Sequence, residues 1–330
     1  MKRGLGGALV FAVLLAAGCG RVNEPGGRQQ VRFGMSAVML SALPIIAVEK
    51  GFFAAEGLDV AETDYASGEY ALAALLAGGV EVATCSEVPV IAASFNTRDF
   101  AVFACIGSSN RGHAIVARRD AGVASLADLR GKRVGTLRHT GMHFFLHLVL
   151  LYQGMSERDV QVSFLSETDV VGPLVRGELD AVAVREPYTS EALAQLRGNA
   201  VVFEQEGKYT RTQHVVARRE FLRQRPETAR RVIRALLRAE QWARRHPDAA
   251  LVVVARRLGV GPDRLAADWA HLRLRVSLEQ RLLAQFEEEA AWMMEGGLVQ
   301  GQRMPNYLEF IETGPLRAVK PGAVTLVHLQ

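Results

Sequence analysis

The sequence is poor in cysteine, poor in lysine and without a long apolar run. Three cysteines in 330 residues, Cys19, Cys85 and Cys105, are too few for a disulfide framework. Of 39 basic side chains only five are lysine, which leaves little scope for chemistry through a lysine Schiff base. Charged residues reach 22% against 49% apolar, a balance that excludes an intrinsically disordered chain. The formal charge is +4, and +2 (37 − 35) once Lys2 and Arg3 are set aside, with the remaining basic residues spread along the chain. Such a distribution gives no nucleic-acid footprint. The eight histidines show no metal spacing apart from His139 and His143, four residues apart, and His139 falls before the expected helix start. No Ser-His-Asp arrangement or paired-carboxylate signature stands out, and no cofactor motif is present.

What the chain does have begins at its amino end. Met1-Lys2-Arg3 is a short basic start, followed by an uncharged apolar run over 5–17. A run of this length is too short to span a bilayer of about 30 Å, but it suits the core of a secretory signal. Leu15-Ala16-Ala17-Gly18-Cys19 resembles a bacterial lipoprotein box, with Ala16 where that family prefers leucine. The resemblance implies removal of 1–18 and lipidation of Cys19. Ordinary secretion, with Cys19 there by chance, is the alternative. Residues 20–30, containing Pro25-Gly26-Gly27, read as a polar tether.

Past residue 30 short strands alternate with helices. Val31, Phe33 and Met35 alternate with Arg32 and Gly34, the period of a strand. The pattern predicts a helix over 43–55, a strand over 58–62, a helix over 69–77 and a strand over 80–84. It resumes with strands at 133–136, 160–165 and 179–184 and helices at 141–153 and 170–176. This is α/β grammar, with helices on both faces of each sheet. From Pro226 the chain reads as almost wholly helical, with Ala229, Val232, Ile233, Leu236, Leu237 and Trp242 in one apolar stripe. Arg230, Arg231, Arg234 and Arg238 lie opposite, as a solvated face.

An internal echo gives the architecture. The segment from Leu76-Ala77-Gly78-Gly79 to Ala83 returns ninety-nine residues later as Val175-Arg176-Gly177-Glu178 to Val182, and Glu87 falls opposite Glu186. His113 to Arg119 and His214 to Arg219 look like paired crossings between two similar lobes. The implied division is 31–117 for lobe 1, 118–216 for lobe 2, and 217–330 returning to lobe 1 with C-terminal helices, hinged near Ala117 and Ala217.

Ala47-Val48-Glu49-Lys50-Gly51-Phe52-Phe53-Ala54-Ala55-Glu56-Gly57-Leu58-Asp59-Val60 carries a family likeness. It resembles the EKGFF…EGLDV run of the nitrate-, sulfonate- and taurine-type substrate-binding proteins of ABC transporters. Leu126 to Gly135, Gly177-Glu178-Leu179-Asp180-Ala181 and Arg185-Glu186-Pro187-Tyr188 resemble further stretches of that family, in order, over about 31–270. The resemblance implies a type II periplasmic-binding-protein fold of two parallel-rich α/β lobes joined by a two-strand hinge. It also implies a monomer that captures a small solute between the lobes and passes it to an ABC permease and its ATPase. The Phe52-Phe53 run reads as packing, not as ligand contact.

In such folds ligands meet the loops beyond the carboxyl ends of strands. The candidates in lobe 1 are Ser36, Met39, Ser41, Gly68, Glu69, Thr84 and Ser86, with Glu87 closing the same loop. Those in lobe 2 are Arg138, Thr140, Gly141, Asp169, Arg185 and Glu186. The helix opened by Thr140-Gly141 offers free N–H groups to an anion, and Arg138 and Arg185 add fork-shaped donors. Arg185 stands where the family has an aromatic, which favours an organic or inorganic anion over a flat pyrimidine. A surface ion pair is the plainer role for each arginine. Cys85 and Cys105 read equally as a lobe 1 disulfide or as two buried thiols.

Other functions on this fold are an exported enzyme, a sensory lipoprotein, and a binding protein for a thiamine-pyrimidine-type precursor. The enzyme that builds the thiamine pyrimidine uses a lysine-bound cofactor. Lys50, Lys132, Lys208 and Lys320 are all the lysines left after export, and of these only Lys208 approaches an expected cleft loop.

Overall fold

The strand β1 (Gln29–Ser36) opens the chain and lies parallel to both β2 (Leu58–Tyr65) and β3 (Val82–Ser86). The computed structural model describes residues 27–166, 169–205, 207–300 and 303–327. The expected signal peptide, Cys19 and most of the tether lie outside those residues. β1 takes in Gln29 and Gln30, two residues expected in the tether.

The remaining strands are β4 (Phe100–Ser109), β5 (His113–Arg118), β6 (Arg133–Thr136), β7 (Gln161–Phe164), β8 (Ala181–Arg185), β9 (Ala200–Glu204), β10 (Arg211–Arg218) and β11 (Leu272–Ser277). They form a six-stranded sheet ordered β11-β4-β10-β3-β1-β2 and a five-stranded sheet ordered β7-β6-β8-β5-β9. Each sheet is mixed. β6 is parallel to β7 and β8, while β10 runs antiparallel to β3 and β4, and β5 antiparallel to β8 and β9. The parallel half of each sheet comes from strand–helix units, and the antiparallel half contains a strand that has just crossed from the other lobe.

The crossings are not at Ala117 and Ala217. Ala117 pairs with Ala181 and Val201 inside the second sheet, and Ala217 pairs with Val82 and Ala101 inside the first. The chain leaves the first sheet after Ser109 and the second after Glu204, because β5 and β10 are each committed to one sheet from their first residues.

The helices are α1 (Ala42–Glu49), α2 (Phe52–Ala55), α3 (Gly68–Leu76), α4 (Glu87–Ser94), α5 (Gly141–Tyr152), α6 (Gly172–Val175), α7 (Tyr188–Leu196), α8 (Arg219–Gln224), α9 (Pro226–Arg245), α10 (Pro247–Arg257), α11 (Pro262–Trp269), α12 (Arg281–Glu295) and α13 (Gly314–Val319). The helix expected over 43–55 is two helices, split at Gly51, whose φ of 68° is left-handed. Phe53 packs its ring 5.8 Å from Phe33 of β1, as a core contact. In α9 the stripe Ala229, Val232, Ile233 and Leu236 is fully buried, and the helix packs on α1, α2 and β2 of the first lobe. The strand β11 within the nominally helical tail is a correction. Leu272-Arg273-Leu274-Arg275 alternates, and it adds an edge to the first sheet beside β4.

Cys85 and Cys105 are free thiols. His214 of β10 sits opposite both of them, so one whole strand separates the two. Two strand spacings amount to about 9.5 Å, beyond the reach of a disulfide.

Candidate functional site

The carboxyl ends of β1 and β3 carry hydroxyl side chains that bond to one another beneath the surface. The Ser36 N–H donates to Thr84 Oγ1 at 2.8 Å, and the Ser36 hydroxyl lies 3.0 Å from both Ser41 Oγ and Thr84 Oγ1. Gln213 of β10 donates its side-chain amide to Ser36 Oγ at 2.7 Å and to Ser41 Oγ at 3.1 Å. Every member is buried. These residues form a satisfied polar floor and fix the loop that starts α1.

Above the floor stands Glu87, the first residue of α4, only 1% exposed. Its carboxylate accepts from the Tyr209 hydroxyl, from the Thr212 N–H at 2.8 Å and from the Thr212 hydroxyl at 3.1 Å. Burial pushes the Glu87 carboxyl above its ordinary value, and these donors only partly offset that. Burial also raises Tyr209, and lowers His113 well below its usual value with help from Arg211 and Arg185. His214, bonded to Thr212 at 2.9 Å, is pushed down to about 3 by burial. The interlobe centre thus sets neutral imidazoles beside the buried Glu87, with a second buried acid, Glu289 of α12, raised by its own burial and by the nearby Glu87.

The second lobe meets this centre through α5. A Cβ on Gly141 would fall 2.9 Å from Tyr209 Oη and 3.6 Å from His113 Nε2, so only glycine allows the helix start to approach so closely. Tyr209 also packs its ring 5.3 Å from both His113 and Phe144. Beside Tyr209 opens a cavity of about 350 Å³, walled by both crossing segments, by Phe145, by Glu186 and Ser190 at the start of α7, and by α11. Its charged lining is of both signs: Glu186, Glu204, Asp263 and Asp268 against Arg111 and Arg264. Arg111 and Glu204 pair at 3.0 Å. A second, more apolar cavity of about 230 Å³ lies between α3, α4 and α12, with Glu69 from one lobe and His139 from the other at its wall.

The expected site residues divide accordingly. Ser36, Ser41 and Thr84 are brought together in the floor, and Ser86 precedes Glu87 at the start of α4. Gly68 opens α3 against Cys85 and Ser86, and Glu69 faces the second cavity. Met39 packs on the core. Thr140 donates its hydroxyl to the Leu137 carbonyl at 2.6 Å and leaves the α5 N-terminus without a side-chain cap. Arg185 is half-buried across from His113, donates to the Glu186 carbonyl at 2.9 Å and lies 5.8 Å from the Tyr188 ring. Glu186 lines the larger cavity and accepts from the Ser190 N–H.

Of the candidates only Glu186 and Glu69 line a cavity, and Arg138 and Asp169 are engaged elsewhere. Arg138 is exposed, over the Phe164 ring at 5.1 Å, and Asp169 is exposed in an ion pair with Arg176 at 3.3 Å. Sequence reasoning missed Tyr209, Thr212 and Gln213. The echo between His113 and His214 held the signal, since the residues that lead into and open each crossing strand lie at the interlobe centre. Among the described residues no group of three or more His, Cys, Asp or Glu is placed to hold a metal, and no helix is long and apolar enough to cross a membrane.

Comparison with known proteins agrees with this architecture. A family profile described as NMT1/THI5 like matches residues 41–250. A Bacillus subtilis (strain 168) protein whose name assigns it to aliphatic sulfonates is 25% identical over 255 residues, covering 76% of each chain. The riboflavin-binding protein RibY of Chloroflexus aurantiacus is 31% identical over 233 residues, 67% of this chain and 64% of that one. Among solved structures, the periplasmic aliphatic sulphonate binding protein SsuA from Escherichia coli superposes with a TM-score of 0.73 at 18% identity, over 86% of this chain and 97% of that one. That likeness is one of fold: two α/β lobes around a cleft.

Proposed function

This chain belongs to the NMT1/THI5 like family, and from that premise we propose that it is the extracytoplasmic solute-binding component of an ABC importer. It captures a small solute between its lobes and passes it to a permease driven by an ATPase, without catalysing a reaction. The observation that carries this reading is the 350 Å³ cavity at the carboxyl ends of the sheets, where both crossing segments meet. That volume suits a small molecule. Contact with both lobes at once lets a solute favour the closed form.

Within that reading the solute is a small anion of the sulfonate, nitrate or taurine class. Arg111 and Arg264 on the cavity wall supply donors, and the uncapped α5 N-terminus beside Tyr209 and Arg185 beside Glu186 border it. The carboxylates on the cavity wall also admit an amino group, so a solute bearing both charges fits the lining. The Bacillus relative's name supports the sulfonate class. A second reading, a flat pyrimidine or flavin-type solute, is favoured by Phe145 and Tyr209 on the cavity wall and by the RibY relationship. A thermal-shift screen over nitrate, alkanesulfonates, taurine, thiamine-pyrimidine compounds and riboflavin separates the two. A ligand at about 100 times its dissociation constant stabilises the folded state by about 2.7 kcal/mol. An anion as sole stabiliser supports the first reading, riboflavin or a pyrimidine the second, and no shift with any of them overturns the solute-binding assignment.

The mature protein is held to a membrane through a lipidated Cys19. Cys19→Ser is expected to release it or stall its processing. Membrane fractionation of a Cys19→Ser protein that has been cleaved to its mature size would remove the anchor from this reading.

A further inference from the structure

Between residues 219 and 245 the chain has nine arginines and three glutamates, a net of 9 − 3 = +6, against +4 for all 330 residues. Everything else therefore sums to −2, and the positive charge is concentrated on α8 and α9. One side of α9 is buried. The other presents Arg230, Arg231 and Arg234 half-exposed and Arg238, Arg244 and Arg245 exposed, with Arg223 exposed on α8. The carboxylates from elsewhere in the chain that reach them are few. Glu56 meets Arg234 at 2.7 Å and Arg238 at 3.3 Å, and Glu81 meets Arg225 at 3.0 Å. Counting both leaves 6 − 2 = +4 on the surface of two adjacent helices.

The start of the described chain lies against the same helix. Arg225, just before α9, donates to the Gln30 carbonyl at 2.6 Å, and Thr228 in its first turn donates to the Gln29 side chain. Cys19 is ten residues before Gln29. At 3.3–3.6 Å per residue that stretch reaches at most about 35 Å. α9, with twenty residues, is about 30 Å long. Any bilayer that holds Cys19 is therefore within reach of the whole arginine face.

We propose that the outer face of α9, with the adjoining end of α8, docks on anionic lipid headgroups. Guanidinium forks match phosphate oxygens, and exposed charges act over a Debye length of about 10 Å at 0.1 M salt, so the docking is salt-sensitive. The face sits at the amino end of β1, while the solute cavity lies beyond the carboxyl ends of the strands, so lipid contact leaves the cavity open. The inference rests on the Cys19 anchor only for this nearness to a bilayer.

Two full-length proteins test it by vesicle flotation. The unaltered protein on pure phosphatidylcholine reports the anchor. The Cys19→Ser protein, compared on phosphatidylcholine with and without phosphatidylglycerol, reports the surface. We expect partition of the Cys19→Ser protein to rise about tenfold or more with the anionic lipid at low salt and to fall back at high salt. Adding R230Q, R231Q, R234Q and R238Q together should abolish the rise. R223Q with R245Q, on exposed side chains, should reduce it and serves if the quadruple variant folds poorly. Inorganic phosphate at matched ionic strength should not compete. No rise with anionic lipid, or a rise that survives both sets of substitutions, overturns the proposal. So does competition by phosphate, which would mean a site for the free anion. Failure of the unaltered protein to float on phosphatidylcholine removes the anchor and not the surface.

Discussion

The indole of Trp292, on α12 of the first lobe, packs edge-on against the His143 imidazole of α5 in the second lobe, with ring centroids 5.0 Å apart. Phe144 and His147 join the same indole at 5.1 and 6.1 Å. Glu157 of the second lobe lies 3.2 Å from His143. Burial pushes the Glu157 carboxyl up, but the hydrogen bond and charge of His143 bring it below its usual value. One first-lobe side chain thus fastens a whole face of the helix whose start borders the candidate site.

Trp292→Ala is expected to loosen the lobes before it unfolds them. Truncating a buried tryptophan costs about 3–5 kcal/mol. Much of that loss falls on the contact between lobes, since Trp292 touches α5 with its rim. Small-angle scattering should show a larger radius of gyration for Trp292→Ala and little change for Trp292→Phe. An unchanged radius for the alanine variant would mean that the lobes are held elsewhere.

Gly141→Ala places a methyl 2.9 Å from Tyr209 Oη and 3.4 Å from a Tyr209 ring carbon. Either α5 backs away or Tyr209 turns and gives up Glu87. Overpacking of this kind costs about 1–3 kcal/mol. Solute affinity should fall about tenfold, with a modest loss of melting temperature. Gly141→Ala paired with Tyr209→Phe should recover part of the packing loss, because the hydroxyl at 2.9 Å is the clash and the ring carbon at 3.4 Å is in van der Waals contact. Wild-type affinity in the single variant would separate the α5 start from the site.

The pH dependence has a definite sign. His214 is pushed from 6.5 to about 3 in the folded protein. A base with a depressed folded pKa leaves the unfolded chain binding more protons. Its contribution is intact above the unfolded value and is lost as pH falls from about 6.5 toward about 3. At pH 5 the loss from this one group is about 2 kcal/mol. Glu87, raised by burial, acts in the opposite sense, losing stability as pH rises past the ordinary carboxylate range. The clean readout is therefore the difference between wild type and His214→Gln. Denaturant melts at pH 7 and pH 5 should show a steeper drop for wild type; equal drops would contradict a buried neutral His214.

The parts legible in the sequence were those set by local pattern. β1, α3, β6 and α5 stand close to where alternation and helical period placed them, because each buries one side against its own lobe. β11 was hidden because a short Leu-Arg alternation within a helical stretch becomes a strand only when β4 offers it an edge. The crossing points were misplaced by several residues because a strand's sheet is decided by its partners, which one chain does not display. Ser36, Ser41 and Thr84 followed from the rule about strand ends. Tyr209 did not, since a tyrosine in a loop becomes central only when Glu87 and Gly141 close around it.

On the proposed anion reading, Arg185 sets the charge preference for the solute. Its guanidinium is half-buried at the end of β8, bonded to the Glu186 carbonyl, and its charge helps to keep His113 neutral across the strand pair. Charge-assisted hydrogen bonds contribute about 1.5–3 kcal/mol each, so Arg185→Ala should weaken binding of an anionic solute about ten- to hundredfold. Arg185→Lys keeps the charge but loses the fork and should fall between. The melting temperature of the empty protein should change little, because Arg185 is only half-buried and its hydrogen bond is to the neighbouring Glu186 carbonyl. Titration calorimetry of the three proteins with the best ligand from the screen provides the check. Should that ligand be neutral and bind Arg185→Ala as tightly as wild type, recognition would rest instead on Tyr209 and Phe145. Arg185 would then serve only to hold the Glu186 turn.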